Sequence, residues 1–66
     1  MKTGIKIQKD ILELLALYDR PLSTRELALD LDHAWHSIQN NCLRLQIAGK
    51  VRGFRVGNMN LWELKK

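Results

Sequence analysis

His36, Gln39, Asn40 and Leu43 are spaced so that one side of a helix would carry all four. Each of these side chains has something to offer the major groove of a nucleic-acid duplex. An asparagine or glutamine can pair bidentately with N6 and N7 of adenine, and a leucine can touch a thymine methyl. An imidazole can reach a base edge or a phosphate. Such a face leans toward A·T-containing sites. Cations sit close by in sequence at Arg44, Lys50, Arg52 and Arg55, and Thr24 with Arg25 stand where the positive end of a short helix would add phosphate contacts. Phosphate contacts position a protein while base contacts specify, so a polar uncharged face beside an arginine-bearing segment divides the work sensibly. If four of these cations each neutralise a phosphate, log K falls with log salt at a slope of about −3.6.

Other chemistries find less support. His33 and His36 are one helical turn apart, but Cys42 projects to the opposite side and no second cysteine or paired carboxylate completes a tetrahedral metal set. The serines are Ser23, at a helix start, and Ser37. There is no phosphate-cradling glycine loop and no nucleophile with a base at a recognisable spacing, so neither a catalytic centre, a metal site nor a cofactor is expected.

A chain of 66 residues makes one domain, expected to span residues 1–66. At that size folding hides only about 60% of the surface the open chain exposes, so stability is marginal and dimerisation would help. Hydrophobic residues at 45% and charged residues at 27% suit an ordinary globular domain rather than a disordered tail. The absence of an apolar run near 18 residues speaks against a membrane span, and residues 1–9 lack the continuous apolar stretch of a secretory signal. With its one cysteine lying in helical periodicity, the chain is expected in a reducing cytoplasm. The net charge of +4 is unevenly spread: residues 1–32 hold five basic and six acidic groups, and residues 33–66 hold six basic groups against Glu63 alone. A basic half beside a slightly acidic one suggests a polyanion-facing surface.

These side chains need elements to hold them. Ile7, Ile11, Leu14, Leu15 and Tyr18 fall at steps of three and four and predict a helix over about 5–18 with one buried stripe. Ile5, Leu12 and Leu17 lie outside that stripe and suit either a broad core face or a dimer seam. Pro21 ends the first helix region, and Ser23 with Glu26 forms a capping box that starts a second helix over 24–31, with Leu27, Ala28 and Leu31 as its apolar face. A third helix is expected over 34–48, ended by Gly49, with Ala34, Ile38, Cys42 and Leu45 inward and Trp35 at the margin. Residues 50–64 read as a hairpin about Gly57 and Asn58, with Trp62 and Leu64 facing the core. The face of Phe54 stays open, because Gly53 could mark a bulge.

Glu26, Leu27 and Ala28, then Ile38, then Arg44, Leu45, Ala48, Gly49 and Val51 follow, without a gap, the pattern of the winged helix-turn-helix superfamily and its MarR- and ArsR-related regulators, which this sequence resembles over nearly its whole length. The resemblance implies a mainly α fold with a small β-hairpin: three helices and a wing, with the third helix as the reader and Pro21 and Leu22 adding a short third strand. The turn between the second and third helices departs from the pattern. The turn supplies Asp32, His33 and Ala34 where a glycine, an apolar residue and a Ser or Thr cap are usual, and Ala34 has no capping side chain. Asp32 could cap instead.

The resemblance and the residues together point to sequence-specific binding of double-stranded DNA by a small transcriptional regulator without a separate sensing domain, acting as a dimer. His36, Gln39, Asn40 and Leu43 would read bases. Thr24, Arg25, Arg44, Lys50, Arg52 and Arg55 would hold phosphates. Two modules on a pseudo-palindrome would place half-sites about 34 Å apart. The rival is a protein-interaction module, since the third helix has no Lys or Arg among its first ten residues and Trp35, Leu43 and Ile47 could form an apolar strip for a partner or co-regulator.

Overall fold

The computed structural model describes residues 4–65. The ends of the expected 1–66 span, with Lys2 and Lys66 of the charge count, lie outside the described residues. Helix α1 runs Gly4–Tyr18, strand β1 Leu22–Ser23, helix α2 Thr24–Leu31, helix α3 Trp35–Ile47, strand β2 Val51–Val56 and strand β3 Met59–Leu64. The strands make one antiparallel sheet in the order β1-β3-β2, so the short strand foreshadowed by Leu22 exists and pairs Leu22 with Trp62.

Local chemistry sets each boundary. Ser23 Oγ accepts the Glu26 amide at 3.0 Å while Glu26 Oε1 accepts the Ser23 amide at 2.9 Å, completing the capping box that starts α2. At the other end Asp32 takes the left-handed conformation (φ 56°) in the place where a glycine is usual, and its N–H returns to the Ala28 carbonyl. Asp32 therefore closes α2 and does not cap α3. The N-cap of α3 is Ala34, in extended conformation and without a side-chain hydrogen bond. The expected 34–48 helix shortens by one residue at each end, and Ala34 is exposed rather than part of the core. Gly49 ends α3 as expected: at φ 78° it donates to the Gln46 carbonyl at 3.0 Å, and Lys50 donates to that of Leu45 at 2.9 Å, the paired bonds of a Schellman motif.

One core joins all three layers. Ile7, Ile11 and Leu15 of α1, Leu27 of α2, Ile38, Cys42 and Leu45 of α3, and Leu22, Val51 and Trp62 of the sheet are buried together. Leu12 and Leu14 pack against them, whereas Ile5 and Leu17 are 78% and 73% exposed and Tyr18 turns outward to donate its hydroxyl to Asp30 at 2.9 Å. The broad core face thus holds for Leu12 and fails for Ile5 and Leu17. Asn41 is a polar member that the sequence does not advertise. Its Nδ2 donates to the Ser37 carbonyl at 2.8 Å and its Oδ1 accepts from Gln8 Nε2 at 3.0 Å, clamping α1 to α3.

The hairpin runs in unbroken register from Val51↔Leu64 to Val56↔Met59, so Gly53 marks no bulge. Alternation along the strands then sorts the side chains. Val51, Gly53 and Arg55 share the inner face with Leu64, Trp62 and Asn60, while Arg52, Phe54 and Val56 share the outer face with Glu63, Leu61 and Met59. Gly53 has a packing reason instead: a Cβ there would run into Cζ3 of Trp62 and come within 2.8 Å of Gln46 Oε1. At the tip Gly57 has φ 59° and Asn58 has negative φ, the pattern of a two-residue II′ turn that needs glycine first.

Candidate nucleic-acid interface

The helix-and-hairpin surface is organised around α3. Its buried stripe of Ile38, Asn41, Cys42 and Leu45 leaves His36, Asn40, Leu43 and Ile47 facing solvent on the opposite side. Gln39 and Gln46 fall on the flank turned to the sheet, where they line a groove of about 290 Å³ with Leu43, Gly53, Arg55 and Asn60. An inner-face arginine and the amides of α3 therefore share one side of the molecule. A second cleft, of about 300 Å³, opens where Arg25 and Trp35 meet the hairpin tip at Asn58, Met59 and Asn60.

Three hydrogen-bonded residues knit this surface to the core. Trp62 Nε1 donates to Thr24 Oγ1 at 2.8 Å, and Thr24 Oγ1 donates to Gln39 Oε1 at 2.8 Å. The bonds join β3, α2 and α3 beneath the groove. Thr24 is 1% exposed, so its hydroxyl is a buried coupling between elements and any phosphate contact at this helix start would have to come from the backbone or from Arg25. Gln39 is half-buried rather than free on an outer face.

The cations divide as well. Arg52 lies on the outer face of the sheet, away from the groove, in an exposed ion pair: both its Nε, at 2.8 Å, and its Nη2 donate to Glu63 Oε2. Its guanidinium also lies 5.5 Å from the Phe54 ring centroid. Arg44 is exposed but sits five residues from Gln39, about 140° around the helix, on the flank away from the groove. Lys50 stands at the base of the hairpin, one six-residue strand, about 20 Å, from the Gly57–Asn58 tip. Arg25 and Arg55 remain: both are exposed, each lines one of the two clefts, and neither makes an ion pair among the described residues. At the start of α2 the Glu26 carboxylate already accepts the Ser23 amide, and that bond, joined by Arg20 at 3.3 Å, holds its pKa below the ordinary 4.5 despite the opposing effect of desolvation. A carboxylate on the helix terminus competes with any incoming phosphate.

A solved structure has the same architecture. The chain superposes on a structure reported for the DNA recognition and protein interaction domains of HOP2 with a TM-score of 0.82 and 17% sequence identity, covering 89% of this chain and 98% of that one. This is a winged-helix fold. No protein-family model matches the sequence, and no curated protein matches it. In winged-helix terms the hairpin β2–β3 is the wing, Arg55 and Asn60 are on its helix-facing side, and α2–α3 is the helix-turn-helix.

Other residues of interest fall outside the groove. Cys42 is wholly buried on the core side of α3, and desolvation pushes its thiol pKa up to about 12. His36 is exposed and meets the Trp35 ring edge-on at 5.5 Å, while His33 is half-buried in the turn. Among the described residues no three metal-ligating side chains gather, and no helix is long and apolar enough to cross a membrane. Asn60 and Gln46 were not foreseen as groove residues. Their positions on the wing's inner face and the helix flank follow from strand register and helix phase once Trp62 is fixed inward.

Proposed function

We propose that this winged-helix domain binds double-stranded DNA sequence-specifically and serves as a transcriptional regulator in the cytoplasm, with α3 in the major groove. The observation that carries the proposal is the shared groove: Gln39 and Arg55 line one cavity, beside the solvent-facing His36, Asn40 and Leu43. Base contacts come from the α3 face, and backbone contacts come from Arg55 on the wing and Arg25 at the second cleft. The HOP2 structure, reported for DNA recognition and protein interaction domains, is in keeping with this use of the fold and with the second reading below. A homodimer on two half-sites supplies the affinity that a small single domain lacks. With two free cations per domain in reach, log K falls with log salt at a slope of about −1.8 for each domain bound.

The second reading, a protein-docking module, has its own observation. Trp35 and Leu43 are each 43% exposed and Ile47 is 86% exposed, all along α3. An apolar strip of that kind suits a partner helix or co-regulator. Fluorescence anisotropy with random-sequence duplex at rising salt tests both. Saturable binding with a salt slope near the value above, weakened by Arg55→Ala and not by Ile47→Ala, supports DNA binding. No binding at low salt defeats it and leaves docking as the use of the α3 face.

A further inference from the structure

We infer that the hydrogen-bond chain Trp62–Thr24–Gln39 fixes the polarity of the Gln39 amide, so that Gln39 meets a base with its Nε2 donor and selects an acceptor edge. The inference rests on the DNA-binding reading for its consequence, but the polarity itself is a property of the free protein. An indole N–H can only donate, so Thr24 Oγ1 accepts the Trp62 bond at 2.8 Å. The hydroxyl has one proton of its own. Gln39 Oε1 lies 2.8 Å away, and among the described residues no other acceptor bonds this hydroxyl.

If the amide were reversed, Nε2 would donate to Thr24, and the hydroxyl proton would be left without an acceptor in a site where Thr24 and Trp62 are 1% and 3% exposed. A buried unsatisfied donor is costly, and no buried side-chain polar atom of the described residues goes without a partner. The chain of donors therefore runs one way, from indole to hydroxyl to amide oxygen. With Oε1 turned to the core, Nε2 is the end left for the groove, alongside Arg55 and Asn60.

This revises the adenine preference expected of Gln39. Bidentate pairing needs an oxygen for adenine N6 and a nitrogen for N7, and here the oxygen is held against the buried Thr24 hydroxyl. A lone donor fits guanine N7 and O6, thymine O4 or, through a single bond, adenine N7, and is mismatched with cytosine, whose groove edge offers only the N4 amino group. Asn40, exposed and outside the chain, keeps its adenine option.

Two measurements on the full chain test the inference. In the free protein, hydrogen exchange of the Gln39 side-chain amide by NMR should be as fast as in a solvated glutamine. Protection by tenfold or more, as from an amide donating to Thr24, overturns the assigned polarity. In selection from random duplexes, wild type should enrich guanine or thymine over cytosine by about fivefold at one position. Gln39→Glu, whose carboxylate still accepts the Thr24 hydroxyl and offers only an acceptor outward, should reverse that position toward cytosine. Adenine enriched there above both guanine and thymine, as bidentate pairing would give, or a preference unmoved by Gln39→Glu, overturns the inference while leaving DNA binding intact. Absence of binding to any duplex at low salt overturns the DNA reading and the base choice together, while the exchange measurement still decides the polarity.

Discussion

Trp62 Nε1 donates to Thr24 Oγ1 at 2.8 Å across 38 residues of sequence. The bond joins the last strand to the first residue of α2, and through Gln39 to α3. Thr24→Val removes the acceptor while keeping the shape, leaving a buried indole N–H unsatisfied. The expected cost is about 1–3 kcal/mol, and in a domain of this size each kcal/mol lowers Tm by about 4–8 °C. Thr24→Ser, which retains the hydroxyl, should lose much less. Thermal melts of the two variants decide it, and equal losses would mean that the methyl packing rather than the hydrogen bond matters.

Gly53 should tolerate no side chain. A Cβ at this position points into the ring of Trp62, which is buried and bonded to Thr24, and toward the end of the exposed Gln46 side chain. Gly53→Ala should destabilise by about 1–3 kcal/mol through overpacking, read as a lower midpoint in urea with the slope unchanged. Gly57 has open space about it but φ 59°, so Gly57→Ala should cost about 1–2 kcal/mol for backbone reasons alone. A neutral Gly53→Ala would contradict the assigned packing of Trp62 over the strand.

Much of the fold was legible because its signals are local and redundant. The Ser23/Glu26 box, the Gly49 terminator and the Gly57–Asn58 turn each specify one backbone geometry, and all three stand where the sequence puts them. The site was less legible because it depends on which way a side chain turns once elements cross. Thr24 follows an N-cap, a position that in isolation faces solvent, yet β3 covers it with Trp62. Arg52 and Arg55 are alike in sequence, and only strand register puts one opposite Glu63 and the other opposite Asn60. Had Gly53 been read as a packing glycine beneath an aromatic cross-strand neighbour, unbroken alternation would have separated the two arginines from sequence alone.

The capping box carries a pH dependence. Its backbone hydrogen bond from Ser23 lowers the Glu26 pKa below 4.5 in the folded state. A carboxyl so depressed contributes stability that is complete above its unfolded pKa and is lost as pH falls through the folded value. Thermal stability should therefore decline from about pH 5 downward, and Glu26→Gln should flatten that decline while lowering stability near neutrality. Ser23→Ala should cost about 1 kcal/mol by removal of the cap. Melts between pH 3 and 7 would reveal the difference, and parallel pH profiles for wild type and Glu26→Gln would show that Glu26 has no part in it.

The two wing arginines provide the sharpest contrast for function. Arg55 is exposed on the helix-facing side and unpaired among the described residues, whereas two nitrogens of Arg52 already donate to Glu63 on the other face. If the groove faces DNA, Arg55→Ala should weaken binding to every duplex sequence alike and make the salt slope shallower by about 0.9. Arg52→Ala should leave the slope unchanged, and because exposed ion pairs contribute only about 0–1 kcal/mol, it should alter stability little. Anisotropy titrations at several salt concentrations separate the cases. A slope that responds to Arg52 and not to Arg55 would place the nucleic acid on the outer face of the sheet, beside Phe54 and Leu61, and would remove α3 from the interface.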